Sequence, residues 1–199
     1  MKERPILFSD GMVGAILTGT KTQTRRVMKP QPIKEVIDFA RAHITSTYPN
    51  TENEWRRGLA SCPYGRPGER LWVREAHYII GEHPGPTPGT RWVHYRADAS
   101  TNLGSDECQW TGPWKPSIHM PRWASRILLE VTDVRVECLM DISADDAEAE
   151  GWPGPNKEES RRSYYPIEWF ANLWDSLNAK RGFGWDANPW VWVIKFKRI

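Results

Sequence analysis

The chain has 199 residues, of which 39% are hydrophobic and 26% charged, with a formal net charge of +2 and a mean hydropathy of −0.64. That is one domain's length, too aromatic for disorder, and with apolar runs of only a few residues it has no membrane span and no apolar core of a signal peptide near Met1–Pro5. Cys62, Cys108 and Cys138 are widely spaced and odd in number, which argues against a disulfide framework and fits a cytoplasmic protein.

The elements follow in chain order. Pro5 to Phe8 reads as a short strand, and Ser9 or Asp10 can cap a helix whose apolar face is Met12, Val13, Ile16 and Leu17. Gly19 stops that helix where a left-handed residue is cheapest. Thr22 to Val27 follows as a strand, with Thr22, Thr24 and Arg26 on one face and Gln23, Arg25 and Val27 on the other. Residues 33–45 have helical spacing at Ile33, Val36, Ile37 and Ala40, and residues 46–70 are polar and turn-rich, the body of an insertion. Leu71 to Ile80 and Trp92 to Arg96 read as strands joined by a loop crowded with Gly and Pro, while residues 98–113 read as loop.

Ile127 to Cys138 carries the strongest strand pattern, long enough to bend around a small barrel. Ser143 with Asp146 three residues on forms a capping-box variant that opens a helix through Glu150, and Gly151 ends it. The helix Ile167 to Leu177 places Phe170, Leu173, Trp174 and Leu177 on one stripe, and Trp190 to Phe196 is a terminal strand. The expected class is α+β, with a small curved sheet and short helices.

Charge is unevenly distributed. Residues 1–30 hold six basic side chains against two acids, and residues 131–160 hold nine acids against two bases. Twelve tryptophans are many for this length, and several stand beside Arg, Lys or Pro, among them Trp55, Trp72, Trp92, Trp114, Trp123 and Trp190. Such interleaving can stack bases, although each Trp is read first as core payload in a short polar chain. The sequence carries no H-E-x-x-H, G-x-S-x-G, P-loop or dinucleotide fingerprint, and its five histidines lack helical i, i+4 pairing, so neither a metal nor a cofactor is expected.

The densest group of functional side chains is G-T-K-T-Q-T-R-R, Gly19 to Arg26. Gly19, Lys21 and Arg26 resemble the G-x-K-x-x-E-x-R signature of the ASCH superfamily, with Thr24 at the glutamate position. P-G-E-R-L-W-V at Pro67 to Val73, I-S-x-x-D-A-x-x-E-G at Ile142 to Gly151 and the final strand through Phe196 resemble further superfamily segments. C-P-Y-G at Cys62 to Gly65, the stretch Trp114 to Arg126 and W-D-A-N-P-W-V-W-V at Trp185 to Val193 resemble a branch carried by bacteriophages and prophages.

The resemblance implies a single PUA-like β-barrel over residues 1–199 with insertions at about 33–60, 79–113 and 152–166. It implies binding of RNA, a nucleotide or a modified nucleoside in a basic cleft, with Lys21, Arg25, Arg26 and Glu75 as ligand-contacting candidates. The superfamily also includes ribonucleases and a metal-independent amidohydrolase that deacetylates acetylcytidine. That enzyme's G-x-K-T-x-T-x-R stretch and later glutamate map onto Lys21, Thr24 and Glu150, the catalytic candidates. A third reading is a phage protein that binds a host partner through its Trp-rich insertions. For each candidate the plain alternative is structural: Lys21 and Arg26 solvating an edge, Glu150 a helix-end acid, Glu75 ion-paired with an arginine.

Overall fold

The computed structural model describes residues 2–31, 62–80, 92–101, 113–154 and 166–199. The helix expected around 33–45 and most of the three expected insertions lie outside these residues. Five strands form a mixed sheet: β1 (Glu3–Leu7), β2 (Gln23–Val27), β3 (Arg70–Arg74), β6 (Leu128–Cys138) and β7 (Trp190–Arg198), in the order β1-β3-β6-β7-β2. β1 runs parallel to β3, and the other three pairings are antiparallel. A separate antiparallel pair joins β4 (His77–Ile80) to β5 (Trp92–Tyr95). Among the described residues, four α-helices complete the α+β fold: α1 (Asp10–Leu17), α2 (Arg96–Thr101), α3 (Ala144–Ala149) and α4 (Pro166–Asn178). No described helix is long and apolar enough to cross a membrane.

The central strands explain the architecture. β7 is covered on both faces, so its Val-Trp-Val-Ile run is continuously buried rather than alternating. Trp192, Ile194 and Phe196 join Ile6, Val13, Ile16, Leu71, Val73 and Leu129 in one core under α1. Val191 and Val193 face the other way, into a second core with Ala147 of α3 and Phe170 and Trp174 of α4. A bulge in β6 between Val131 and Asp133 adds local twist to its long ladder with β7. β1 and β2 end the hydrogen-bonded order, and the Arg26 guanidinium donates from β2 to the Leu7 carbonyl of β1 at 2.6 Å.

Several expectations change in three dimensions. Leu71 to Ile80 is two strands: the chain leaves the large sheet at Glu75, whose buried carboxylate is held by Arg126 at 3.0 Å to each oxygen. The segment after Tyr95 is helical through Thr101, because Ala97 packs into the core and Arg96 pairs with Asp10 at 2.5 Å. That ion pair also occupies one carboxylate oxygen of Asp10, and Ser9, although at the N-cap of α1, makes no side-chain capping bond. Leu177 belongs to the stripe of α4 by spacing, yet it is 46% exposed while Phe170 and Trp174 are buried. Of the aromatic payload, Trp174 and Trp192 are core, whereas Trp92 and Trp123 are about half exposed. Cys62 and Cys138 are both buried.

Candidate functional site

Gly19 has φ +81°, so the chain turns at once out of α1, and Lys21 N–H returns to the Ala15 carbonyl at 3.0 Å. Across from it, Ser143 Oγ accepts from Asp146 N–H at 3.1 Å, capping α3 as its sequence implies, and Gly151 (φ +100°) ends that helix. The two stops meet. Lys21 and Glu150 form an isolated antiparallel bridge, and Thr22 N–H donates to the Ala149 carbonyl at 2.9 Å. Gly151 must be small here, since a Cβ would stand 3.0 Å from Ala15 Cβ and 3.2 Å from Lys21 Cβ.

This stitching drives the two side chains together. Lys21 Nζ donates to Glu150 Oε2 and to the Glu150 carbonyl, both at 2.7 Å, and both residues are buried. Glu150 Oε1 accepts from Arg25 Nη1 at 3.2 Å. Arg25, itself buried, also pairs with Glu137 and with Asp146, the latter at 2.9 Å, and stacks at 5.7 Å on the Phe170 ring. Arg135 closes the network on Glu137 (2.9 Å) and Asp146. The basic N-terminal segment and the acidic 131–160 segment thus neutralise one another in the interior, which is how the charges can be desolvated at all. Burial lowers the Lys21 pKa, and the neighbouring Glu150 only partly offsets this.

The opposite face of β2 differs. Thr24 is buried, and its hydroxyl makes no hydrogen bond to Lys21 or Glu150. Arg26 lies over the Phe8 ring at 5.1 Å, while Lys21 Nζ stands 5.8 Å from that same ring. Burial lowers the Arg26 pKa, and no carboxylate contacts its guanidinium. Lys21, Arg25, Arg26 and Glu150 are therefore brought to one region.

Glu75 is not. It belongs to a second cluster in which Arg126 binds Glu75 and also Asp98 (2.7 Å twice) and covers the Tyr95 ring at 3.9 Å. Burial pushes the Glu75 carboxyl up and Arg126 pulls it back. It lines neither cleft described next, and the ion-pair reading describes it.

Two clefts flank the Lys21 region. One, of about 480 Å³, opens between β1 and β2 and is lined by Leu7, Arg26, Lys29, Tyr64, Trp174, Leu177 and Arg181, among others. The other, of about 240 Å³, is lined by Met12 and Ala15 of α1, Glu150, Gly151, and Trp169 and Leu173 of α4. α4 walls both. Lys29, Tyr64, Trp174 and Arg181 were not legible as site residues, because they are far apart in sequence and share no motif. Glu137 and Asp146 had a signal, the acidic excess facing a basic N-terminal segment.

A crystal structure of an ASCH domain from Lactobacillus crispatus matches 99% of this chain and 79% of its own, at 12% identity and a TM-score of 0.40. A crystal structure of a protein from Enterococcus faecalis of the family DUF984 matches 100% of this chain and 80% of its own, at 11% identity and a TM-score of 0.42. No family model and no curated protein matches. Neither structural match bears on the phage branch.

Proposed function

We propose that this protein binds RNA, a nucleotide or a modified nucleoside in the cleft that α4 forms with β1 and β2, within a PUA-like barrel whose seam lies between β1 and β2. The observation that carries the reading is the 480 Å³ cleft at that seam, which Arg26, Lys29 and Arg181 line together with Tyr64 and the edge of the buried Trp174. Its size suits a nucleotide, and cations beside aromatic rings suit phosphate and base together. Arg25 also lines this cleft, but its charge is already matched by Glu137, Asp146 and Glu150. The test is a fluorescence-anisotropy titration with labelled single-stranded RNA at increasing salt. Affinity should fall as salt rises, since bound cations displace counterions. Binding that ignores salt, or no binding to any RNA or nucleotide, rejects the reading.

A second reading is an amidohydrolase built on Lys21, Thr24 and Glu150; the full burial of Lys21, which favours the neutral amine, stands on its side, and the 2.7 Å ion pair with Glu150, which favours the ammonium, stands against it. In it Thr24 Oγ attacks the acetyl carbonyl of an acetylated cytidine, Lys21 as a free amine takes the hydroxyl proton, and that proton passes to the departing cytidine nitrogen. Water then hydrolyses the acetyl-threonine ester, releasing acetate. Desolvation favours the neutral amine this step needs, and Lys21→Arg should abolish it because guanidinium cannot act as a base. Acetate release from acetylcytidine, lost in Thr24→Ala, is the measurement; none from the wild type removes this reading. Binding of a host protein through the Trp-rich insertions rests on segments mostly outside the described residues.

A further inference from the structure

The two buried cations beside the clefts are spoken for: Lys21 has Glu150, and Arg25 has three carboxylates. Arg26, Lys29 and Arg181 differ: all three line the larger cleft, and none makes an ion pair with a carboxylate among the described residues. Lys29 and Arg181 are also held in place rather than trailing. The chain after Lys29 is clamped by Gln31, whose amide donates to the carbonyls of Met28 (2.7 Å) and Trp190 (3.0 Å) and accepts from Trp190 N–H (2.8 Å). Arg181 ends the short turn that follows α4, which Gly182 (φ +77°) closes, and Trp174 Nε1 donates to the Phe183 carbonyl at 2.7 Å. Lys29 Nζ rests 5.4 Å from the Phe183 ring, so the two basic arms come from neighbouring pieces of one scaffold.

The smaller cleft has the opposite character. Its lining is apolar around Met12, Trp169 and Leu173, and its one charged member, Glu150, is an acid already neutralised from behind by Lys21 and Arg25. A phosphate has no cation to meet there.

We infer that Arg26, Lys29 and Arg181 form a phosphate subsite, so that the ligand is phosphorylated and lies with its phosphate at the β1–β2 seam. The inference rests on the nucleotide-binding reading above. Three cations lining one cleft offer charge-assisted hydrogen bonds to a dianion or to an internucleotide diester. The depressed pKa of Arg26 has the same origin: a partly desolvated guanidinium without a counter-anion, a cost that a bound phosphate relieves.

The experiment compares cytidine, 5′-CMP and a five-residue oligocytidylate by calorimetry, with inorganic phosphate as competitor. The proteins are the wild type, Lys29→Ala/Arg181→Ala, and a charge-matched control, Lys195→Ala/Lys197→Ala, on the exposed end of β7. The wild type should bind a phosphorylated ligand at least about tenfold more tightly than cytidine. Inorganic phosphate should weaken that binding, and the preference should vanish in Lys29→Ala/Arg181→Ala but persist in the control. Tight 5′-CMP assigns the subsite to a terminal monoester; tight oligonucleotide with weak 5′-CMP assigns it to an internal diester, and both support the inference. Equal affinity for cytidine and 5′-CMP with no gain for the oligonucleotide, a preference that survives the double variant, or one lost equally in the control overturns the subsite while leaving nucleoside or RNA binding intact. Absence of binding by all three ligands overturns both readings.

Discussion

Arg25 and Arg26 are adjacent in β2, and the protein uses them in opposite ways. Arg25 points to the α3 side, where Glu137, Asp146 and Glu150 surround it. Arg26 points to the other face, where it meets a carbonyl and an aromatic ring and no carboxylate. Strand alternation alone separates them, yet the first is a structural ion and the second has no carboxylate partner among the described residues. Two adjacent basic residues therefore need not share one role; which of them is neutralised depends on which face carries the acids.

Removing the structural member should have the largest effect. Arg25→Ala leaves three carboxylates converging on a buried site without their cation and should cost about 3–5 kcal/mol in urea unfolding. A loss below about 1 kcal/mol would mean that water, and not Arg25, compensates those acids. Gly151→Ala tests the seat of the Lys21–Glu150 bridge: positive φ together with a 3.0 Å approach to Ala15 Cβ should cost about 1–3 kcal/mol. Gly19→Ala meets nothing within 4 Å at its added Cβ, so only its φ is strained and it should cost about 1 kcal/mol. Equal costs at the two glycines would deny the close packing under Lys21.

Arg26→Ala should leave unfolding within about 1 kcal/mol of the wild type while weakening RNA binding about tenfold, reversing the Arg25 pattern. If Arg26→Ala unfolds as readily as Arg25→Ala, the distinction between the two arginines fails. The smallest effect is one of pH. Burial alone would raise the Asp146 carboxyl, but Arg25 and Arg135 hold it below its ordinary 3.8. The unfolded chain then takes up that proton first on acidification, so the stability this group adds is present at neutral pH and is lost as pH falls through about 4 and below. Asp146→Asn should accordingly be less stable than the wild type at pH 7, with the gap narrowing below about pH 4 in a series of denaturant titrations. A gap that stays constant through pH 3 would remove the ion pair as its cause.

The legible features were local. The Ser143 cap and the left-handed stops at Gly19 and Gly151 follow from a few neighbouring residues, and each is present, whereas β6 is a strand whose bulge at Val131/Asp133 shifts the expected alternation and brings Leu129, Val131 and Val134 into one core. The pairing of strands around residues 81–90 was equally visible, since β4 and β5 do form a hairpin ladder. The break at Glu75 was not, because a run of strand-forming residues carries no mark of the Arg126 side chain that ends it. Helix α2 was missed for a similar reason: Arg96 reads as the end of a strand and residues 98 onward as loop until Asp10 and the core receive Arg96 and Ala97.

The sequence by itself determined where the chain turns, which residues of β2 share a face, and that a basic N-terminal segment and an acidic later one had to be reconciled, because these depend on backbone sterics, alternation and composition. Tertiary structure decided the rest. Lys21 reaches its acid 129 positions away, and Arg25 reaches acids 112, 121 and 125 positions away. Such partners are chosen by how the helices dock on the sheet, and whatever cation the docking leaves unpaired becomes the part of the surface that a ligand can use.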